Sequence, residues 1–252
     1  MVLPSKDTVT TMNDRPDTPE RPDIRDRPYV LISCATSIDG YLDDASDERL
    51  LLSGPEDFDR VDAVRSGCDA ILVGAATIRA DNPRLMVRSA ARRAARVARG
   101  LSPTPIKVTM TARGDLDPDA AFFATGDVEK IVYCATPLAG DVGARLRTAA
   151  TVVDAGQPID LTVVLADLAR RGTGRLMVEG GGSTLTGFLT SGLADELHLV
   201  IAPFFVGNPQ APRFVRDGAY PWSPRRPAKL IEVRQIGEVA LHRYALSDRF
   251  AG

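Results

Sequence analysis

Apolar positions follow two alternating rhythms along this chain. Short, nearly unbroken apolar runs lie at Tyr29–Ala35, Ala70–Val73, Ile106–Met110, Lys130–Cys134, Thr151–Val153 and Arg175–Val178. Runs of this kind, bounded by glycine or polar residues, predict buried strands. Between them the apolar spacing becomes helical. Pro55 at a first helical position, then Glu56, Phe58, Val61 and Val64, predicts an amphipathic helix. Leu161, Val164, Leu165 and Leu168 mark one face of another, and Pro137–Ala149 reads as a third. Strand and helix in alternation imply a parallel sheet with crossover helices. The end of the sequence differs. Glu196–Ala202, Ala228–Ile236 and Val239–Leu246 read as strands, and the last two meet at Gly237-Glu238, a two-residue hairpin signal. The expected fold is α/β: a single domain with a mostly parallel central sheet, flanking helices and an antiparallel C-terminal hairpin. Residues 1–27 are rich in Asp, Arg, Pro and Thr with little apolar content. They are expected to form a disordered tail ahead of a domain over 28–252.

Composition narrows the classes. The chain has 252 residues, 44% of them hydrophobic, enough for one large core. A net charge of −2 offers nothing to a polyanion overall. The basic run Arg88–Arg99 has no interleaved aromatics, so it is expected to be an exposed connecting helix, with no nucleic-acid partner. Cys34, Cys68 and Cys134 are scattered through apolar runs, which suits core residues in a reducing cytoplasm. The two histidines, His198 and His242, fall in strand-like stretches, and no Cys-x-x-Cys or His-x-Glu spacing occurs, so no metal site is expected. No apolar run approaches bilayer-spanning length, and no signal-like apolar core opens the sequence, so no membrane partner is expected.

The candidate chemistry sits after two strands. Leu176-Met177-Val178-Glu179 runs into Gly180-Gly181-Gly182-Ser183-Thr184, and helical spacing resumes at Leu185, Phe188 and Leu189. Strand, glycine turn and helix N-terminus make an anion site. Glycines let a phosphate approach the backbone, and the first helical N–H groups lack internal partners. Ser183 or Thr184 can cap that helix or donate to the same phosphate. A tight turn with a capped helix would look the same in sequence. The second segment, Asp69–Arg88, again opens a buried strand onto small residues at Gly74-Ala75-Ala76-Thr77. Asp81 and Arg88 follow within a loop broken by Pro83, a carboxylate and a guanidinium suited to a polar or phosphorylated ligand. A helix start with a surface ion pair is the alternative.

These blocks together resemble the RibD C-terminal domain family, the reductase domain of riboflavin-pathway enzymes, over roughly Pro28 to Leu246. Ser37-Ile38-Asp39-Gly40, Ser53-Gly54-Pro55, Gly74–Arg88, Glu179–Thr184, Gly192–Leu197 and Ile201-Ala202-Pro203 carry the resemblance by their order and spacing. It implies a dihydrofolate-reductase-like fold, NADPH as hydride donor, a small-molecule substrate and a homodimer. It places Gly180, Gly181, Gly182, Ser183 and Thr184 on the cofactor pyrophosphate, and Gly74, Ala76 and Thr77 beside the nicotinamide and its ribose. Arg113 becomes a partner for the 2′-phosphate. Ser53, Arg65, Asp81 and Arg88 fall at positions that bind a phosphoribosylamino-pyrimidine, and Asp81 and Glu179 are the candidates for orienting substrate or relaying a proton. Family members commonly carry a lysine six residues before the aspartate of the Ser-x-Asp-Gly motif; here that substrate-side position is Ser33. The implied activity is reduction of 5-amino-6-(5-phosphoribosylamino)uracil. The same fold and cofactor would serve a dihydrofolate or pterin reductase, with Asp81 or Asp39 facing an aminopyrimidine edge. A non-catalytic NADP-binding protein is a third reading.

Overall fold

The computed structural model describes residues 27–46, 48 and 50–250; the expected tail, Arg27 excepted, lies outside the described residues. β1 (Tyr29–Thr36) is followed by α1 (Pro55–Ser66), β2 (Ala70–Gly74), α2 (Ala75–Asp81), α3 (Ala90–Ala98), β3 (Ile106–Thr111) and α4 (Ala121–Ala124). Then come β4 (Lys130–Cys134), α5 (Ala139–Leu146), β5 (Thr151–Asp154), α6 (Leu161–Arg170), β6 (Arg175–Gly180) and α7 (Gly182–Thr190). β7 (Glu196–Ile201), β8 (Lys229–Ile236) and β9 (Val239–Ala245) complete the order. The strands form one sheet in the order β5-β4-β3-β2-β6-β1-β7-β9-β8. It is parallel from β5 to β7 and antiparallel in the last two pairings. This is the α/β fold the hydrophobic pattern implies, and Ile236 pairs Val239 across the Gly237-Glu238 turn with φ +55° at Gly237.

Two apolar layers sandwich the sheet. Val30, Ile32, Leu72, Leu176 and Val178 pack against Val164, Leu165 and Leu168 of α6 and Leu185 and Phe188 of α7. On the other face Ile71, Val73 and Val132 meet Ile78, Phe122, Phe123, Val142 and Leu146. Cys34, Cys68 and Cys134 are all buried thiols, and burial pushes Cys68 up to about 11.

Four elements depart from the sequence reading. α1 is not a simple amphipathic helix: Phe58, Val61 and Val64 are only half-buried, while Asp57 and Asp62 are the buried residues. Asp62 accepts the backbone N–H groups of Arg88 and Ser89 and the Arg92 guanidinium, which docks α3 onto α1. Burial raises the Asp62 carboxyl, but those hydrogen bonds outweigh it and hold it below its usual value. The basic run forms the expected connecting helix with Arg88 and Arg99 exposed, but not every arginine in it is solvated. Arg96 is 3% exposed and donates to the carbonyls of Ser66, Cys68 and Ser102. Asp81 is not in a loop but ends α2, which stops at Asn82 with φ +42°. The expected helix at Pro137–Ala149 is a 3-10 turn over Thr136–Leu138 followed by the shorter α5.

A charged cluster lies on the α1 face of the sheet. Glu196 accepts from Tyr29 Oη at 3.1 Å, from Arg243 Nη2 at 2.7 Å and from Arg175 Nη2 at 3.2 Å. His198 Nε2 lies 2.7 Å from Glu196 Oε1, and its Nδ1 accepts from Arg60 Nη1 at 3.2 Å. Burial raises the Glu196 carboxyl, yet His198 and Arg243 outweigh it and bring it to about 2. Burial pulls the His198 imidazole below its ordinary value of 6.5, helped by Arg60 and Arg243 against Glu196. Both groups thus bind fewer protons folded than unfolded, so stability is lost as pH falls. The loss begins near 6.5, where the unfolded-state histidine protonates, and deepens below 4.5, where Glu196 resists protonation. Tm is expected to decline from pH 6.5 downward, and His198→Gln is expected to flatten the upper part of that decline. An unchanged upper slope in the variant would refute the assignment.

Candidate active site

Parallel sheets bind ligands beyond the carboxyl ends of their strands, and the large cavity here opens there. Its volume is about 1010 Å³, room for two ligands, and it is lined by the ends of β1, β2 and β6, by α1, and by the segment Ala80–Arg88. Part of the wall is a glycine cradle. α2 begins after Gly74 and α7 after Gly181, and neither N-cap residue offers a side chain to its helix. Ser183 and Thr184 therefore sit in the first turn of α7 and do not cap it. The two helix starts converge. A Cβ on Gly74 would lie 2.6 Å from Thr184 Oγ1, one on Gly181 3.1 Å from Thr77 Oγ1, and one on Gly182 2.5 Å from the Arg213 carbonyl. Gly180, at φ +138°, takes a backbone conformation that other residues avoid. Gly74, Ala76, Thr77 and Gly180 through Thr184 all line the cavity together with Arg213 and Arg216. First-turn N–H groups not claimed by a cap, two hydroxyls and two guanidiniums suit a pyrophosphate.

The cavity wall also carries an ion pair. β2 pairs β6 with a register shift, Leu72 facing Val178 but Val73 facing Gly180, so Glu179 is the extra residue of a bulge. The bulge turns Glu179 to the cavity, where Arg65 Nε and Nη2 each donate to one of its oxygens at 2.6 Å. Both residues are largely enclosed, and Glu179 draws the Arg65 guanidinium up against the lowering effect of burial. A two-point pair of this kind has one geometry.

The wall is also rich in cations. Arg84, Arg88 and Arg93 line it with Ser53 and Asp81. Arg88 spans the Phe58 ring and donates to the Phe58 carbonyl at 2.8 Å. Ser33 and Cys34 on β1 form part of the floor, Ser33 pairing in register with His198. Two residues of this wall carried no sequence signal: Asp57 and Arg60, in the first turns of α1, where acidic residues ordinarily serve the helix dipole. Arg213 and Arg216 were likewise hidden, because they come from a long irregular stretch between β7 and β8.

Two candidate residues lie elsewhere. Arg113 is exposed in the turn after β3, the strand next to β2, and is not in the cavity wall. Asp39 does not face the cavity. Its carboxylate accepts from Ser37 Oγ at 2.5 Å and from the backbone N–H groups of Val206 and Gly207 at 3.1 and 2.8 Å. Desolvation raises this carboxyl, but the three hydrogen bonds prevail and set it at about 2. Asp39 ties two loops together and has no oxygen oriented to an aminopyrimidine.

The sequence matches the RibD C-terminal domain model over residues 28–241. The chain belongs to the RibD C-terminal domain family. Among relatives of this RibD C-terminal domain, a protein of Archaeoglobus fulgidus named 2,5-diamino-6-ribosylamino-4(3H)-pyrimidinone 5′-phosphate reductase is 33% identical over 226 residues, covering 89% of this chain and 99% of that one. A protein of the same name from Methanothermobacter thermautotrophicus is 35% identical over 193 residues, covering 76% of this chain and 85% of that one. In structure, a pyrimidine reductase-like protein of Corynebacterium diphtheriae superposes with a TM-score of 0.73 at 22% identity, covering 88% and 93% of the two chains. That likeness establishes the fold: an α/β domain with one mostly parallel sheet and an antiparallel C-terminal hairpin.

Proposed function

We infer that this RibD C-terminal domain is a pyrimidine reductase of riboflavin biosynthesis, an oxidoreductase acting on a phosphoribosylamino-pyrimidine with a nicotinamide cofactor. The observation that carries the reading is one cavity lined by two unlike groups of residues. A glycine cradle at two helix N-termini suits a dinucleotide pyrophosphate, and Arg84, Arg88 and Arg93 suit a sugar phosphate, with the Arg65–Glu179 pair in the same cavity. The cradle fits the cofactor because any Cβ at Gly74 or Gly182 would meet Thr184 or the Arg213 backbone within 2.6 Å. When bound, the reduced nicotinamide supplies a hydride to the imine or carbonyl carbon of the ring-opened sugar, and a proton reaches nitrogen or oxygen, leaving a ribitylamino group.

The protein's own residues orient and enclose. Gly180, Gly181, Gly182, Ser183 and Thr184 hold the pyrophosphate; Gly74, Ala76 and Thr77 leave room for the nicotinamide ribose. Ser33, Ser53, Arg65 and Arg88 bind the substrate. Asp81, which ends α2 at the cavity, orients substrate or moves the proton. Glu179, with both oxygens engaged by Arg65, acts by fixing that guanidinium. Holding the nicotinamide against the acceptor carbon of the ring-opened sugar is the main task of such a site.

We further propose NADPH as the cofactor, a homodimer and a cytoplasmic location. Arg113, at the carboxyl end of β3 beside the cofactor strand β2, is the proposed reader of the 2′-phosphate. Arg113→Ala is expected to cut the NADPH-over-NADH preference in kcat/KM about tenfold or more, the worth of one charge-assisted contact. An unaltered ratio would move that role to another residue. The edge strand β8 exposes Leu230 and Val233, which suits a subunit contact. Three unpaired buried cysteines suit a reducing compartment, and among the described residues no helix is long and apolar enough to cross a membrane.

The direct test is oxidation of NADPH by purified protein with the diaminopyrimidinone, the aminouracil and dihydrofolate supplied separately. Turnover of a phosphoribosylamino-pyrimidine is the expected result. Turnover of dihydrofolate alone would overturn it.

A further inference from the structure

Asp57 is the third residue of α1 and only 2% exposed. Its Oδ1 accepts from Arg60 Nε at 2.6 Å. Among the described residues its Oδ2 has no protein partner, although Asp57 lines the cavity. A carboxylate almost wholly withdrawn from solvent, with one oxygen left over, is costly unless a ligand completes it.

The surroundings fix its direction. Arg60 is held from the far side by His198, whose Nδ1 accepts from Nη1 at 3.2 Å, and His198 is held by Glu196 at 2.7 Å. Arg60 thus holds Asp57 through Nε and His198 through Nη1. Phe58, Val61 and Cys34 supply apolar walls nearby, suited to a flat ring. Arg88, Arg84 and Arg93, the sugar-phosphate residues of the proposed reading, also line this cavity.

We propose that Asp57 recognises the amino-bearing edge of the pyrimidine and makes this enzyme selective for the 2,5-diaminopyrimidinone over the deaminated aminouracil. The inference rests on the pyrimidine-reductase reading and names which substrate of that class the site takes. A carboxylate only accepts hydrogen bonds. The diaminopyrimidinone presents an exocyclic NH₂ beside a ring N–H, two parallel donors that match two carboxylate oxygens. Oδ1 has a second lone pair for this purpose while keeping Arg60. In the uracil the NH₂ is replaced by a carbonyl oxygen, which would face the carboxylate oxygen with no proton between them. A site built to bond a polar group rejects the analogue lacking it far more strongly than an apolar pocket rejects a size change. Arg60 and His198 are positioning residues in this scheme.

The experiment measures kcat/KM and substrate KM for both pyrimidines with wild-type protein, Asp57→Asn and Asp57→Ala, with NADPH affinity and Tm as controls for folding. Wild type is expected to prefer the diaminopyrimidinone by about a hundredfold or more. Asp57→Asn, whose amide can donate to a carbonyl, is expected to bring that ratio to near one or invert it, mainly through KM. Asp57→Ala is expected to lose turnover of the diamino substrate with NADPH affinity intact. A wild-type ratio near one, or an undiminished ratio in Asp57→Asn, would overturn the proposal while leaving the reductase reading standing. Absence of turnover on either pyrimidine would overturn both.

Discussion

Gly181→Val is expected to raise the dissociation constant for NADPH about a hundredfold or more while leaving a folded protein, the cost of losing two charge-assisted phosphate contacts. Gly181 is the residue before α7, and its Cβ would point at Thr77 Oγ1 from 3.1 Å. Its φ of −79° is open to any residue, so the added side chain meets no left-handed strain there. What the isopropyl group takes away is the space between the two helix starts, where first-turn N–H groups of α2 and α7 would close on one pyrophosphate. Titration of NADPH by fluorescence, with circular dichroism and Tm on the same samples, reads binding and folding apart. Wild-type affinity in a folded Gly181→Val protein would remove the pyrophosphate from this cradle.

The second large effect is expected at the ion pair. Arg65→Met leaves Glu179 enclosed with neither of its two 2.6 Å donors. Breaking a buried pair from one side costs about 3–5 kcal/mol, whereas replacing both partners by apolar residues is often near neutral. For a protein of this size that is a Tm drop on the order of 10 °C. Turnover is expected to fall by about a hundredfold or more, since a guanidinium fixed at the cavity is lost. The double variant Arg65→Met/Glu179→Leu is expected to recover most of the lost stability and none of the lost activity. That split distinguishes a functional pair from a structural one. Recovery of activity alongside stability would reduce the pair to a structural brace.

Much of this was legible in one dimension. Parallel strands buried on both faces are continuous apolar runs, so β2, β4 and β6 could be bounded to within two residues. The hairpin was visible because two apolar stretches meet at a glycine turn, and the cradle because three glycines follow a strand and precede helical spacing. Family blocks then located Ser53, Arg65, Asp81 and Arg88, which do share one cavity. Other features had no linear signature. The buried face of α1 carries Asp57 and Asp62, and a carboxylate in a first turn reads equally well as a surface residue answering the helix dipole. A run of arginines reads as solvated until its partners, carbonyls and aspartates from α1 and the turn after it, are brought within reach. Asp39 and Asp81 are alike in composition; only the fold gives one to backbone N–H groups and the other to the cavity.

The sequence by itself determined the order of the strands, the antiparallel end and the glycine turn between β6 and α7, because each depends on residues adjacent or near-adjacent in the polypeptide: apolar period, glycine, helix start. Tertiary structure alone decided which charges meet. The bulge at Glu179 aims it at Arg65, 114 positions away, and His198 on β7 braces Arg60 on α1, which in turn leaves one Asp57 oxygen for a ligand. Long-range pairs of this kind are set by strand order and register, and a carboxylate's chemistry follows from the groups that three-dimensional packing places against it.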